Sequence, residues 1–247
     1  SGARTAIGSF GGGLASLRPA ELGTIVMKAA IERAGISADK IQNVVVGTVV
    51  STQPKDAYVS RVAAVNAGVP IGAPAMNVNR LCGSGLQAIV SAAQGIALGE
   101  YNVAIGAGAE SMSNAPHMTS AGRNGVKMGN LVFEDAMLGA LHDPFEGFHM
   151  GITAENVAAK CGITREMQDR FAARSHAKAW EATQTGRFRN EIIGIEGHDA
   201  MGARVLCEID EVIRAQRADE LVRHLARVIV ALPHRARGVE GDEPRGP

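Results

Sequence analysis

The 247-residue chain balances 25 basic against 25 acidic side chains and is 46% hydrophobic but only 4% aromatic. Zero formal charge argues against a general nucleic-acid or anionic-membrane binder, and a core of Ala, Val, Ile and Leu with 30 glycines for close packing suits one large globular domain, with or without an excursion. No apolar stretch reaches the length of a membrane span, and the three widely spaced cysteines Cys82, Cys161 and Cys207 give neither a disulfide framework nor a CxxC metal pair, which favours a reducing, cytoplasmic setting.

Pro19–Ala34 reads as a helix. Pro19 suits its first turn, Leu22, Ile25, Val26, Ala29 and Ala30 form its apolar side, and Gly35 stops it. Residues 44–50 read as a strand that is apolar on both faces, as in a sheet covered on both sides. A helix over 58–67, a strand over 73–78, a helix over 85–98 and a buried strand over 102–108 follow. Helices alternating with short apolar strands predict a largely parallel, layered α/β core over residues 1–110.

From 111 to 151 the chain turns to Gly, Asn, Met, His and Pro without a steady period, the mark of a long excursion that serves function or assembly. A short helix is predicted over 153–159. Arg165–Gln184 reads as a long amphipathic helix capped by Thr164, with Met167, Phe171 and Ala179 along one side and Gly186 beyond its end. Residues 191–195 and 204–209 read as strands.

Cys82 lies in the run Asn79-Arg80-Leu81-Cys82-Gly83-Ser84-Gly85, between a predicted strand and a predicted helix. A cysteine there faces unpaired N–H groups and the positive end of the helix dipole, which favour thiolate over thiol. Gly83 and Gly85 leave room beside the sulfur for a bulky acyl donor. A buried cysteine packed as a small hydrophobe fits the position equally well. Asn79 suits a turn in which its side chain bonds its own backbone. Glu110 and Ser111 either support the nucleophile loop or, the preferred reading, cap the segment after the strand. His142, Asp143 and His149 match no standard metal-ligand spacing.

The run around Cys82 resembles the nucleophile motif of the thiolases. Other stretches agree with that family in order and spacing: Arg4-Thr5-Ala6-Ile7-Gly8, residues 43–49, Ala109-Glu110-Ser111-Met112-Ser113-Asn114-Ala115-Pro116, His149-Met150-Gly151 and Thr153-Ala154-Glu155-Asn156. The resemblance spans residues 1–214 and is greatest to the acetyl-CoA C-acetyltransferase type. It implies a thiolase-like layered α-β-α half-fold with a loop-domain excursion. It also implies ping-pong acyl transfer, in which Cys82 takes an acyl group from an acyl-CoA thioester and passes it to the carbanion of a second acetyl-CoA, or runs backwards as thiolysis of a 3-oxoacyl-CoA. The Cys82 N–H, placed at the helix start, is the candidate oxyanion donor. His149 and Met150 correspond to residues shaping the CoA and pantetheine end of the pocket, and Leu141 to an apolar lining position. No metal and no cofactor are implied, coenzyme A thioesters being substrates. The implied partners are acyl-CoA and CoA, with no nucleic acid and no membrane.

The same resemblance divides the chain into a core (1–110), a substrate-covering and oligomerisation loop domain (111–155), the remainder of the N-terminal region (156–214) and a tail outside the family pattern (215–247). The Arg-rich tail, with a helix-like part over 219–232, reads as disordered or frameshifted. Family members carry an apolar, central strand directly before the Arg-Thr-x-Ile-Gly segment, and a second half with the activating histidine and a second cysteine; neither is present, so the chain is expected to behave as a fragment with little or no turnover. The intact family forms homotetramers or homodimers, whereas this half-fold is expected to expose an apolar sheet face and edge. Two alternatives remain at this stage: a ketosynthase-type condensing enzyme, and a noncatalytic thiolase-like scaffold or lipid-binding subunit.

Overall fold

The computed structural model of the chain describes residues 1–198, 201–202 and 204–210; the expectations for 215–247 lie outside them. From the N-terminus come β1 (Arg4–Thr5), α1 (Pro19–Ala34), β2 (Asn43–Gly47), α2 (Val59–Asn66), β3 (Ala75–Val78), α3 (Ser84–Ala97) and β4 (Ala104–Gly108). The last three strands form one parallel sheet in the order β3-β2-β4. Val44 and Val46 of β2 point to one face and pack with Met27, Ile31, Val59 and Ala63 of α1 and α2. Val45 points to the other and meets Ala88 and Ala92 of α3. Continuous apolar sequence thus produces a strand buried on both sides in an α-β-α layer, as expected.

α1 keeps its predicted bounds because its ends are locally specified. The Glu21 carboxylate accepts from the Arg18 N–H at 2.8 Å, and Gly35 closes the helix in the left-handed region at φ 64°. Its buried side differs from expectation: Leu22, Gly23, Met27 and Ile31 face inward, while Ile25, Val26, Ala29 and Ala30 are half-buried. The cause is the α1–α2 contact, where a Cβ on Gly23 would stand 3.2 Å from the Ala63 methyl, so the helices meet along the glycine. β2 stops at Gly47, short of the predicted Val50, because the N–H groups of Val49 and Val50 leave the ladder for the Glu110 carboxylate, both at 3.0 Å.

α3 lies directly on glycines. A Cβ on Gly47 would come within 2.3 Å of the Ser84 backbone carbon, one on Gly106 within 2.6 Å of the Ile89 Cα, and one on Gly108 within 3.0 Å of the Gly85 Cα. Only hydrogen at these strand positions lets the helix approach so closely. The expected exposed apolar sheet face is therefore covered; the apolar surface lies instead on the outer side of α3, where Leu86 (68%), Ile89 (54%) and Ile96 (44%) are exposed.

After β4 come β5 (His117–Met118), α4 (Ala121–Asn124), β6 (Glu134–Asp135) and α5 (Ala136–Ala140), with β5 and β6 pairing antiparallel. These short elements are the aperiodic excursion of the sequence. α6 runs over Met150–Cys161, longer than predicted, because His149 caps its start and Gly162 at φ 64° ends it. α7 is Arg165–Gln184, with the Thr164 hydroxyl accepting from the Met167 N–H as expected. Its half-buried side follows Ala172, Ala173, Ala179 and Trp180, and Met167 and Phe171 are exposed. Arg165 pairs with Asp169 one turn on, and Arg174 stacks over Phe171, which keeps the exposed side polar around its aromatic ring.

β7 (Ile192–Ile193), β8 (Ile195–His198) and β9 (Arg204–Cys207) complete the described chain. β1 pairs in parallel with β7, and β2 is the central strand of the three-stranded sheet. Arg4 and Thr5 are polar and need partners that a double-sided apolar core lacks. Arg4 donates to Asp210 at 2.7 and 3.1 Å and to Glu191 at 3.1 Å, with its guanidinium 5.1 Å over the Phe188 ring. The Ile7 N–H also donates to Asp210, at 2.8 Å, and Asp210 is 4% exposed. Burial pushes that carboxyl up, but the Arg4 guanidinium and the Ile7 N–H together hold it below its ordinary range.

Gly47→Ala should lower folding stability by about 1–3 kcal/mol through overpacking against α3, measured as a reduced urea midpoint at unchanged slope. Asp210→Asn should cost ~2 kcal/mol at pH 7. A carboxyl depressed in the folded state stabilises above its unfolded pKa and loses that contribution as pH falls through the folded value. Urea titrations at descending pH should therefore show the wild-type advantage over Asp210→Asn intact near neutrality and lost as pH falls through a value below the ordinary aspartate range.

Candidate active site

Cys82 follows β3 at the carboxyl edge of the parallel sheet and is exposed. Its turn is built around Leu81, which adopts φ 47° and is the sole non-glycine residue with positive φ among the described residues. For a leucine this conformation costs about 1–2 kcal/mol, so its surroundings must hold it. The Asn79 carbonyl oxygen accepts from the Leu81 N–H at 3.0 Å, the expected side-chain turn. The Ser84 hydroxyl accepts from the Arg80 N–H at 2.8 Å and donates to the Leu81 carbonyl at 2.6 Å. The N–H groups of Gly83 and Ser84 close the turn on the carbonyls of Arg80 and Leu81, both at 3.0 Å. Left-handed Leu81 makes the chain double back sharply, which leaves Cys82 at the surface instead of in the apolar packing that the alternative reading required.

The helix begins one residue earlier than expected. Gly83 is the N-cap and Ser84 the first residue of α3, so Cys82 sits just outside the helix. Its N–H is therefore aimed by the turn and not by the helical ladder, and no acceptor meets it among the described residues. Sequence reasoning found Cys82 and Asn79 but missed Ser84 and the left-handed Leu81. A serine at the first turn of a helix reads as ordinary helix-start chemistry, and leucine carries no left-handed signal.

Glu110 follows β4 beside the same carboxyl edge. Its two oxygens take the Val50 and Val49 N–H groups, and Ser111 donates to the Leu17 carbonyl at 2.8 Å, so this segment caps the neighbouring strand and anchors the N-terminal loop. Partial burial pushes the Glu110 carboxyl above its ordinary value, the two amides pull it down and the Asp56 charge adds to the rise.

Leu141, His149 and Met150 come together in one loop. The Met150 N–H donates to the Leu141 carbonyl at 2.9 Å, and the rings of His142 and His149 meet edge to face with centroids 5.4 Å apart. His149 Nδ1 accepts from the Gly151 N–H at 3.0 Å, so in the neutral ring the proton sits on Nε2, a donor directed away from α6. His142 Nδ1 instead lies 2.6 Å from the Leu138 carbonyl and must donate. Among the described residues, no hydrogen bond or ring contact joins this loop to the Cys82 turn. The two groups are thus separately built.

The family model for the thiolase N-terminal domain matches residues 1–228, further than the motif resemblance at residue 214. A beta-ketothiolase of Cupriavidus necator, BktB, is 54% identical over 214 residues, which are 87% of this chain and 54% of that protein. An acetyl-CoA acetyltransferase of the same organism is 43% identical, with the same coverage of both chains. A cytosolic acetyl-CoA acetyltransferase of Mus musculus is 42% identical over 79% of this chain and 49% of its own length. Among solved structures, the acetyl-CoA acetyltransferase of Bacillus anthracis superposes with a TM-score of 0.82 at 35% identity, covering 89% of this chain and 56% of that one. The chain spans about half the length of the curated relatives it matches. An exposed cysteine on a strand-to-helix turn, an α-β-α layer beneath it and a family model covering most of the sequence agree, and the chain belongs to the thiolase family, its residues 1–228 corresponding to that family's N-terminal domain.

Proposed function

We propose that this chain carries the acyl-accepting half of an acetyl-CoA acetyltransferase reaction, with Cys82 as the nucleophile. The relatives named as acetyl-CoA acetyltransferases and the beta-ketothiolase support the substrate class. The observation that carries the reading is the exposed Cys82 on a turn that holds a leucine at positive φ. The Cys82 sulfur adds to the thioester carbonyl carbon, the carbon–sulfur bond to CoA breaks, and the proton lost by the cysteine ends on the departing CoA thiolate. In the second half, a second acetyl-CoA loses its α-proton, the resulting carbanion adds to the acyl-cysteine carbonyl, the carbon–sulfur bond to Cys82 breaks and the Cys82 thiolate is reprotonated, giving acetoacetyl-CoA; thiolysis of a 3-oxoacyl-CoA is the reverse. Thioester exchange is close to isoenergetic, so positioning and an oxyanion donor are what the turn has to supply.

His149, through its Nε2–H, and Met150 with Leu141 at its side are the proposed CoA and pantetheine contacts. The 111–155 segment is the proposed substrate-covering and assembly element. Cys82 and Cys161 are exposed thiols, which suits a reducing compartment such as the cytoplasm, and no helix among the described residues is long and apolar enough to cross a membrane. Among the described residues no imidazole is bonded to the Cys82 thiol, so acylation without rapid carbon–carbon bond formation is the activity proposed for the chain by itself.

Radiolabelled acetyl-CoA should label the chain at Cys82 by peptide mapping, and Cys82→Ala should abolish the label. Iodoacetamide should modify Cys82 ahead of Cys161, the second exposed thiol; equal rates together with absent acyl label would favour a noncatalytic scaffold. CoA should protect Cys82 from alkylation, and His149→Ala should raise the protecting concentration about tenfold, the equivalent of one hydrogen bond of ~1.4 kcal/mol.

A further inference from the structure

We propose that Ser84 is a positioning residue that locks the peptide joining Leu81 to Cys82, so that the Cys82 N–H faces outward beside the thiol. Ser84 is 4% exposed, and its hydroxyl bridges the two peptides that flank the turn, accepting from the Arg80 N–H and donating to the Leu81 carbonyl. Its own N–H is a second donor to that carbonyl. The Leu81 carbonyl is thereby tied inward to the first turn of α3. A planar trans peptide points its N–H opposite to its C=O, so the Cys82 N–H must turn the other way, toward the open side where the thiol is exposed.

The serine does not serve the helix it begins. A capping side chain accepts from N–H groups further along its own helix, whereas Ser84 accepts from Arg80, four residues back. Asn79 holds the N–H of Leu81, and its C=O is held twice, by the Ser84 hydroxyl and by the Ser84 N–H; losing the hydroxyl frees the Arg80 N–H and leaves one of the two bonds on the carbonyl to oppose the return of a leucine to negative φ. That return rotates the peptide and carries the Cys82 N–H away from the thiol. The consequence for acyl transfer rests on the reading of Cys82 as the acyl acceptor: the outward N–H then meets the oxyanion of the tetrahedral adduct. The lock itself is a property of the turn.

The test uses the full chain with Ser84→Ala and the double variant Leu81→Gly with Ser84→Ala. In Ser84→Ala, the amide-to-Hα coupling of residue 81 measured by NMR should leave its left-handed value while circular dichroism stays native. Acetyl transfer from acetyl-CoA to Cys82 should fall about a hundredfold, the scale for a lost oxyanion donor, while iodoacetamide alkylation of Cys82 holds near its original rate. Glycine adopts positive φ without help, so Leu81→Gly should restore much of the acetyl transfer in the Ser84→Ala background. A folded Ser84→Ala chain in which Leu81 keeps its left-handed coupling overturns the proposal, as does global unfolding that Leu81→Gly does not repair. If the unsubstituted chain takes no acetyl label, the acyl-acceptor reading fails alone, and the coupling of residue 81 still decides the lock.

Discussion

The close approach of α3, backbone against backbone, to Gly47, Gly106 and Gly108 sets everything above it. With the helix lowered onto bare strand glycines, Ser84 is buried at the sheet's edge and has only the turn to bond. A turn fastened from below can hold a leucine in a conformation it would otherwise leave, and the residue after that leucine is held at the surface. A larger side chain at any of these glycines would lift the helix and free the serine. In this way a packing constraint deep in the fold decides where a sulfur sits.

Parallel strands end with their loops on one side, and the carboxyl edge of β3-β2-β4 gathers the polar work of the domain. Cys82 follows β3, the Glu110 carboxylate following β4 collects the amides leaving β2, and Asn77 of β3 reaches the Ser60 N–H at 2.8 Å to start α2. The amides leaving β2 are thus taken by a side chain that follows β4, and the start of α2 by one from β3, which ties neighbouring segments of this edge together. Such fixed geometry suits the acyl transfer proposed for Cys82, because exchange between thioesters gains little from driving force and much from positioning.

The outer side of α3 carries the opposite character. Leu86, Ile89 and Ile96 are exposed on the very helix whose inner side is glycine-tight against the sheet. Contiguous apolar surface of this kind marks a contact surface. The described residues supply the inner cover, and the chain spans about half the length of its relatives.

Local chemistry was readable from the residues alone. Pro19 and Gly35 bound α1, Thr164 starts α7, Asn79 makes its own turn, and the valines of β2 announce a strand buried twice, because each signal acts within a few positions along the chain. What the tertiary structure decided are the relations that cross the sequence. The pairing of β1 with β7, and the Arg4–Asp210 clamp across 206 residues, join distant segments that no periodicity links. The choice of Gly23 over Ile25 as the inner side of α1 depends on Ala63 arriving from another helix. Leu81 is left-handed, and Ser84 faces backward, only because strand glycines admit the helix so near. A side chain's hydrogen-bond capacity is written in its residue type, but the direction in which it is used is set by whatever the fold places within 3 Å of it.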